Sequence, residues 1–256
     1  MGVMQPEIIQ RLLDINKEFY QTFGQAFAQT RRRIQPGVRQ VLTGWIHDGD
    51  WLDIGCGGGV LAQAWIHAGL KGSYTGVDFS APLLEEARNL LTERPPGSEL
   101  AVSFRQVDLA LEDWSNGLLP GNFDGVVSFA ALHHIPGSAY RQKMMRQVAG
   151  LLKPGGLFIH SVWQFQHSPK LMARVQPWQL AGLADHEVEE GDTLLDWRHH
   201  PGAESSAPGL RYVHLFSREE LQELARFAGF KVINEFESDG SGERLGLYQV
   251  WRLAAS

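Results

Sequence analysis

The chain has one cysteine, Cys56, among 256 residues. A lone thiol can form no internal disulfide and cannot build a cysteine-rich zinc site, so a reducing cytoplasm is the expected setting. Basic residues are also scarce: 23 Lys and Arg against 29 Asp and Glu leave a formal net charge of −6. That balance excludes a broad basic surface that displaces counterions from phosphates. Any nucleic acid would have to be gripped locally, around Arg31–Arg33, Arg39 and Arg211, or through a partner. No apolar run approaches the roughly 18 residues of a membrane span, and the N-terminus lacks a signal-peptide pattern, so no membrane contact is expected. The histidines, including His199 and His200, show no metal-ligand spacing, and no metal is expected. The chain is well supplied with core material, at 43% hydrophobic residues with 28 Gly. This suits one globular domain, or one domain carrying a large insertion, and excludes disorder.

Ile8, Leu12, Ile15, Phe19 and Phe23 recur at spacings of three and four, which predicts a helix over 7–31. A break at Pro36–Gly37 and a second short helix, Val38–Ile46, complete an N-terminal helical cap over 1–46. From there strands and helices alternate. Strands are predicted at Trp51–Ile54, Tyr74–Val77, Val102–Val107, Phe123–Phe129 and Leu157–Val162, with helices ending at Gly69, over Pro82–Leu91 and over Ser138–Leu152. Pro154–Gly155–Gly156 reads as a turn. Residues 164–211 break the rhythm with Pro169, Pro177, Pro201, Pro208 and the acidic run Asp185–Asp192, and read as an insertion. A helix over Ser217–Ala228, opened by a Ser217/Glu220 capping box, leads to strands at Phe230–Glu237 and Leu245–Leu253. The Ser238–Gly242 turn joins those two strands as a hairpin, so the last one should run antiparallel. The prediction is an α/β fold: a Rossmann-like, seven-stranded, mostly parallel sheet with helices on both faces and an antiparallel last strand.

The chemistry concentrates at strand ends. Asp53–Ile54–Gly55–Cys56–Gly57–Gly58–Gly59 places a carboxylate and a glycine loop at a helix N-terminus, where backbone can approach a ligand closely. Two readings compete. Gly57, Gly59 and Ala62 fit the dinucleotide pattern, with Asp78 about 20 positions on as the ribose carboxylate of a nicotinamide cofactor. A loop for S-adenosylmethionine (SAM) needs no pyrophosphate cradle, only backbone against the amino-acid end and carboxylates for ammonium and ribose. Further features favour SAM. Asp78, followed by Phe79, closes the second strand, and Asp108, followed by Leu109, closes the third at a position suited to an adenine amino group. The fourth ends in Phe129–Ala130–Ala131–Leu132–His133–His134. Cys56 sits between glycines because it is small.

Taken together in this order, these motifs resemble the class I SAM-dependent methyltransferases over about 45–253. The resemblance implies SAM held by Asp53, Gly55, Cys56, Gly57, Asp78, Phe79, Asp108, Leu109, Phe129 and Ala130. The methyltransferase domain would span 47–253, with the insertion at about 163–212 covering the acceptor site. Outside the core, Tyr20, Phe27, Thr30, Arg31 and Pro36 match a Tyr…Phe-x-x-Thr-Arg…Pro pattern. Together with His133–His134, Asp192…Trp197 and Arg211–Tyr212–Val213–His214–Leu215–Phe216, this is similar to the tRNA wobble-uridine carboxymethyl methyltransferases. That likeness implies methyl transfer to the carboxylate of a modified tRNA uridine, aided by a small activator subunit. Arg31, His133 and His134 would then be catalytic, and Tyr20, Arg31, Trp163, Tyr212 and His214 would bind the acceptor, with His214 equally readable as a hydrogen-bonded element of the fold. The pattern is incomplete: Gln35 stands where a tryptophan is expected and Val213 where a tyrosine is. A small-metabolite acceptor is the alternative. One of His133 and His134 is expected to face away from the cofactor, as neighbours in extended chain do.

Overall fold

The computed structural model describes residues 4–29, 33–111, 113–197 and 209–254. Helix α1 (Pro6–Gln29) and helix α2 (Pro36–Gly44) precede the first strand. Leu12, Ile15 and Phe19 on the apolar face of α1 are buried. Leu12 and Ile15 pack with Trp178, Leu183, Leu194 and Tyr212, so the helix is held by distant parts of the chain rather than by its own propensity.

The strand–helix alternation then unfolds as β1 (Gly49–Ile54), α3 (Val60–His67), β2 (Gly72–Asp78), α4 (Ala81–Leu90), β3 (Leu100–Gln106), β4 (Phe123–Phe129), α5 (Ser138–Leu151) and β5 (Leu152–Trp163). After the inserted segment come α7 (Arg218–Phe227), β9 (Phe230–Ser238) and β10 (Gly246–Leu253). The seven strands lie in the order β3-β2-β1-β4-β5-β10-β9. Neighbours from β3 to β5 pair parallel, and β10 pairs antiparallel with both β5 and β9. The order reverses between β1 and β4, which opens a crevice at the carboxyl ends of those strands.

Successive side chains of each strand serve opposite faces. Leu52, Val126 and Phe158 pack under Met144, Val148, Leu221 and Leu224 of α5 and α7. Their neighbours Trp51, Val127 and Ile159 pack under Val41 of α2 and Leu61 and Trp65 of α3. Both faces are therefore covered, which is why the strands read as unbroken apolar runs.

The structure corrects the sequence reading in three places. The inserted segment is not irregular: after the short α6 (Pro169–Met172), β6 (Val175–Gln176), β7 (Asp192–Trp197) and β8 (Gly209–His214) form an antiparallel sheet in the order β6-β7-β8. These strands were hidden because two residues of β6 carry no period, and β8 is buried at Gly209 and at every position from Arg211 to His214. Strand β5 begins at Leu152, ahead of the Pro154–Gly156 segment read as a turn, with a register shift against β4 between Phe123 and Gly125. Ser217 accepts the backbone N–H of Glu220 at 3.1 Å. The Glu220 carboxylate turns instead to His214 and Arg141, so the capping box is only half made. No helix among the described residues is long and apolar enough to cross a membrane.

Candidate functional site

The crevice widens into a cavity of about 510 Å³, a size typical of small-molecule sites. Its floor is the loop between β1 and α3. The N–H groups of Gly55 and Cys56 donate to the Val77 carbonyl at 2.8 and 3.1 Å, binding the loop to the end of β2. Gly59 has φ +77°, and a Cβ there would lie 2.7 Å from the Ala87 Cβ, so only glycine lets α3 begin here. At Gly57, φ is +53° and a Cβ would meet nothing within 4 Å. That residue borders the cavity, so its bare backbone leaves room for a ligand.

Carboxylates surround this floor. Asp78 is 8% exposed and accepts the N–H of Gly57 and of Ser80, both at 2.9 Å. Burial pushes its pKa up, against the opposing pull of those backbone donors. Asp53 accepts a short hydrogen bond from the Tyr74 hydroxyl, and burial raises its pKa to about 7. A buried carboxylate with so little compensation favours a cation beside it. Asp108 accepts the Ala110 N–H at 3.0 Å and lies 3.4 Å from the Lys17 ammonium. Burial pushes the Cys56 thiol up, away from reactivity. At the end of β4 Ala130 adopts φ +54°, a strained value for a residue with a side chain. Its N–H is held by the Ser161 carbonyl and hydroxyl, both at 3.1 Å.

The opposite wall is built from α1, the turn after β4, and the small sheet. His134 Nδ1 lies 2.9 Å from the Tyr212 carbonyl and Nε2 lies 3.0 Å from the Tyr20 hydroxyl. A carbonyl only accepts, so Nδ1 carries a proton. In the neutral ring, Nε2 then accepts from Tyr20. Asn16, one helical turn before Tyr20, donates to the His134 carbonyl at 3.3 Å and accepts the Tyr212 N–H at 2.9 Å. The Arg211 guanidinium lies over the rings of Phe19 and Trp163, at 4.8 and 5.1 Å from their centroids. Trp197 meets Phe19 and Phe23 with centroids 5.7 and 5.3 Å apart.

All ten residues expected to hold the cofactor line this one cavity, as do Tyr20, His134 and Trp163. His133 does not: it is fully buried and stacks on Trp163 at 5.1 Å. Leu132–His134 is a 3₁₀ turn, not the extended chain expected, so the two rings stay 4.4 Å apart while only His134 reaches the cavity. Tyr212 and His214 are also absent from the lining. His214 is buried behind it, with Nδ1 2.7 Å from Asp192 and Nε2 3.0 Å from Glu220. Thr30 and Arg31, along with His199 and His200, lie outside the described residues. Sequence reasoning missed Asn16, Lys17, Ser161, Asp239 and Tyr248, which also line the cavity. Asn16 was signalled by its i, i+4 relation to Tyr20. Ser161 and Tyr248 are cross-strand partners that only the sheet order brings together. The described lining carries six acidic side chains (Asp14, Asp53, Asp78, Glu86, Asp108, Asp239) and two basic ones, Lys17 and Arg33.

Residues 52–158 match the methyltransferase domain family. Over 124 residues the chain is 36% identical to the "Ubiquinone biosynthesis O-methyltransferase" of Thiobacillus denitrificans, covering 48% of each chain. Over 202 residues it is 25% identical to the "Probable tRNA methyltransferase 9B" of Mus musculus, covering 77% of this chain and 40% of that one. The chain thus spans half or less of the length of either relative. Among solved structures it is similar to a chain in the complex of the Haloferax volcanii Trm112 methyltransferase activator with a methyltransferase. There the TM-score is 0.62 at 17% identity, covering 94% of this chain and 98% of that one.

Proposed function

The chain carries a SAM-dependent methyltransferase domain, and we propose that it transfers the methyl group to a carboxylate on a modified tRNA wobble uridine, giving an ester. One observation carries this reading. The residues similar to the tRNA branch come from four separate stretches of sequence, yet they form one hydrogen-bonded chain ending at the cavity. Tyr20 meets His134, His134 meets the Tyr212 carbonyl, the Tyr212 hydroxyl donates to Asp192 at 2.7 Å, and Asp192 meets His214. The tRNA methyltransferase relative supports a tRNA acceptor.

In this reading Asp78 takes the ribose hydroxyls, Asp53 the positive amino-acid end and Asp108 the adenine amino group. The open backbone at Gly57 and the under-compensated charge of Asp53 suit a cationic cofactor. When bound, that cofactor supplies an electrophilic methyl group on a sulfonium. A carboxylate acceptor is already ionised at neutral pH, so no strong base is required, and the rate comes from orientation and water exclusion. Tyr20 and His134 fix the acceptor side, while Lys17 and Arg33 are the cations of the lining among the described residues. Arg31, outside the described residues, remains a proposed carboxylate clamp from the family pattern. Helices α1 and α2 and the small sheet cover the acceptor, and the activator complex among the similar folds supports a small partner subunit.

A small-metabolite acceptor is the second reading, favoured by the excess of acidic over basic lining and by the O-methyltransferase relative. Incubation of the chain, with and without an activator subunit, with SAM and tRNA bearing 5-carboxymethyluridine separates the two. Nucleoside mass spectrometry should show the methyl ester; an unchanged carboxylate in both arms would reject the tRNA acceptor.

A further inference from the structure

We infer that His214 is a positioning residue that locks the small sheet to the core and thereby sets His134 at the acceptor side of the cavity. Its side chain is 2% exposed, with Nδ1 2.7 Å from Asp192 Oδ1 and Nε2 3.0 Å from both oxygens of Glu220. Carboxylates only accept, so both ring nitrogens carry protons and the ring is a cation. Asp192 and His214 belong to β7 and β8, whereas Glu220 belongs to α7 over the large sheet. The imidazolium therefore bridges two layers of the fold.

A second buried cation repeats the bridge. Arg141 of α5, also 2% exposed, lies 2.7 Å from Glu189, just before β7, and 3.1 Å from Glu220. The groups facing His214 are thus Asp192 and Tyr212 on the small sheet, Glu189 in the turn before it, Glu220 on α7 and Arg141 on α5. Three carboxylates face two cations and a neutral phenol, which leaves one negative charge in excess. Glu189, Asp192 and His214 offer ligand atoms within 4.8 Å of one another, as a metal site would, but Arg141 already sits on Glu189 and the His214 ring on Asp192.

This cluster reaches His134 by two routes. Tyr212 donates its hydroxyl to Asp192 Oδ1 at 2.7 Å while its carbonyl accepts His134 Nδ1–H at 2.9 Å. Arg141 donates to the carbonyl of Ile135, the residue after His134, at 3.1 Å. Separating the small sheet from α5 and α7 would move both supports.

Burial opposes the charge on His214, but the hydrogen bonds to Asp192 and Glu220 outweigh it, and its pKa is raised. The sign follows from linkage: the stabilisation is fully present below the unfolded value near 6.5 and is lost as pH rises through the folded value. Deprotonation leaves the covered Asp192 carboxylate and the partly exposed Glu189 and Glu220 facing one guanidinium, an arrangement that favours opening.

The inference rests on the methyltransferase reading of the cavity but not on the identity of the acceptor. Hydrogen exchange of the full chain with S-adenosylhomocysteine, from pH 6 to 10 and corrected for intrinsic rates, tests it. Protection of β7 and β8 should fall at least about tenfold across the alkaline range while β1 to β4 stay protected. In Glu220→Gln the midpoint should move down by about one pH unit, since one charged partner is lost. Over the same step the acceptor KM should rise about tenfold, with SAM affinity within about twofold. Protection of β7 and β8 that is independent of pH, an unmoved midpoint in Glu220→Gln, or loss of SAM affinity in parallel would overturn it. Should that variant not fold, ring ¹⁵N shifts of His214 in the parent decide: a neutral ring at pH 6.5 would equally overturn it. Intact pH-dependent protection without turnover on tRNA would count against the tRNA acceptor alone.

Discussion

The wall proposed to hold the cofactor is assembled from consecutive strand ends, with Asp53, Asp78, Asp108 and Phe129 each at or just beyond the close of a parallel strand. The wall proposed for the acceptor joins pieces that are remote in sequence: the Asn16 side chain bonds the Tyr212 backbone across 196 positions. In the first wall each loop is placed by the strand before it, so a substitution there should act locally and on cofactor affinity. The second wall is held by mutual support among α1, the 3₁₀ turn and the small sheet, so substitutions should act on acceptor turnover and on one another.

The largest expected effect is on the first wall. Asp78→Ala removes the acceptor of two backbone N–H groups and the proposed ribose contact. Hydrogen bonds to charged groups contribute about 1.5–3 kcal/mol each. Calorimetry should therefore show SAM binding weakened by about 100-fold or more, and an unchanged affinity would break the assignment of this wall. His134→Gln comes next, with turnover down by about 30-fold, an estimate for a positioned donor or acceptor in the site. SAM affinity should hold within about threefold, so a parallel loss of cofactor binding would show that the two walls are not separable.

Asn16→Ala should be smaller again. It leaves the Tyr212 N–H and the His134 carbonyl unsatisfied, at a cost of about 1–3 kcal/mol, read as a lower denaturation midpoint and an acceptor KM raised about fivefold. A double mutant with His134→Gln should be clearly non-additive in turnover; additivity would mean that α1 and the turn act independently. The smallest effect is a fraction of a proton. With the Asp53 pKa at about 7, the folded protein holds that proton while the unfolded chain ionises near 3.8, so Asp53 costs stability as pH rises through this window. A cationic ligand should lower the value and release the proton. Calorimetry at pH 6 in buffers of different ionisation enthalpy should show it, and equal heats in all buffers would remove Asp53 as the coupled group.

The difference between the walls is also a difference in legibility. The alternation of apolar runs and amphipathic stretches, the glycine loop and the acids at strand ends are local patterns, and the antiparallel end of the sheet followed from the Ser238–Gly242 hairpin. Strands β6, β7 and β8 left no such trace, because burial along β8 removes the polar alternation that marks a strand. His214 was expected against the acceptor from the family pattern, whereas its two carboxylate partners come from β7 and α7 and hold it behind the wall.

What the sequence determined by itself is the αβ alternation, the glycine loop and the acids at strand ends, since each depends on spacings within one turn or one strand. Only the tertiary structure decided that His134 and not His133 enters the cavity, that Tyr212 contributes its carbonyl rather than its ring, and that Asn16, Ser161 and Tyr248 belong to the site. Those outcomes turn on which strand pairs with which and on how α1 and the small sheet pack across the crevice. Such contacts are settled by burial and charge balance summed over the whole fold, a quantity no local pattern encodes.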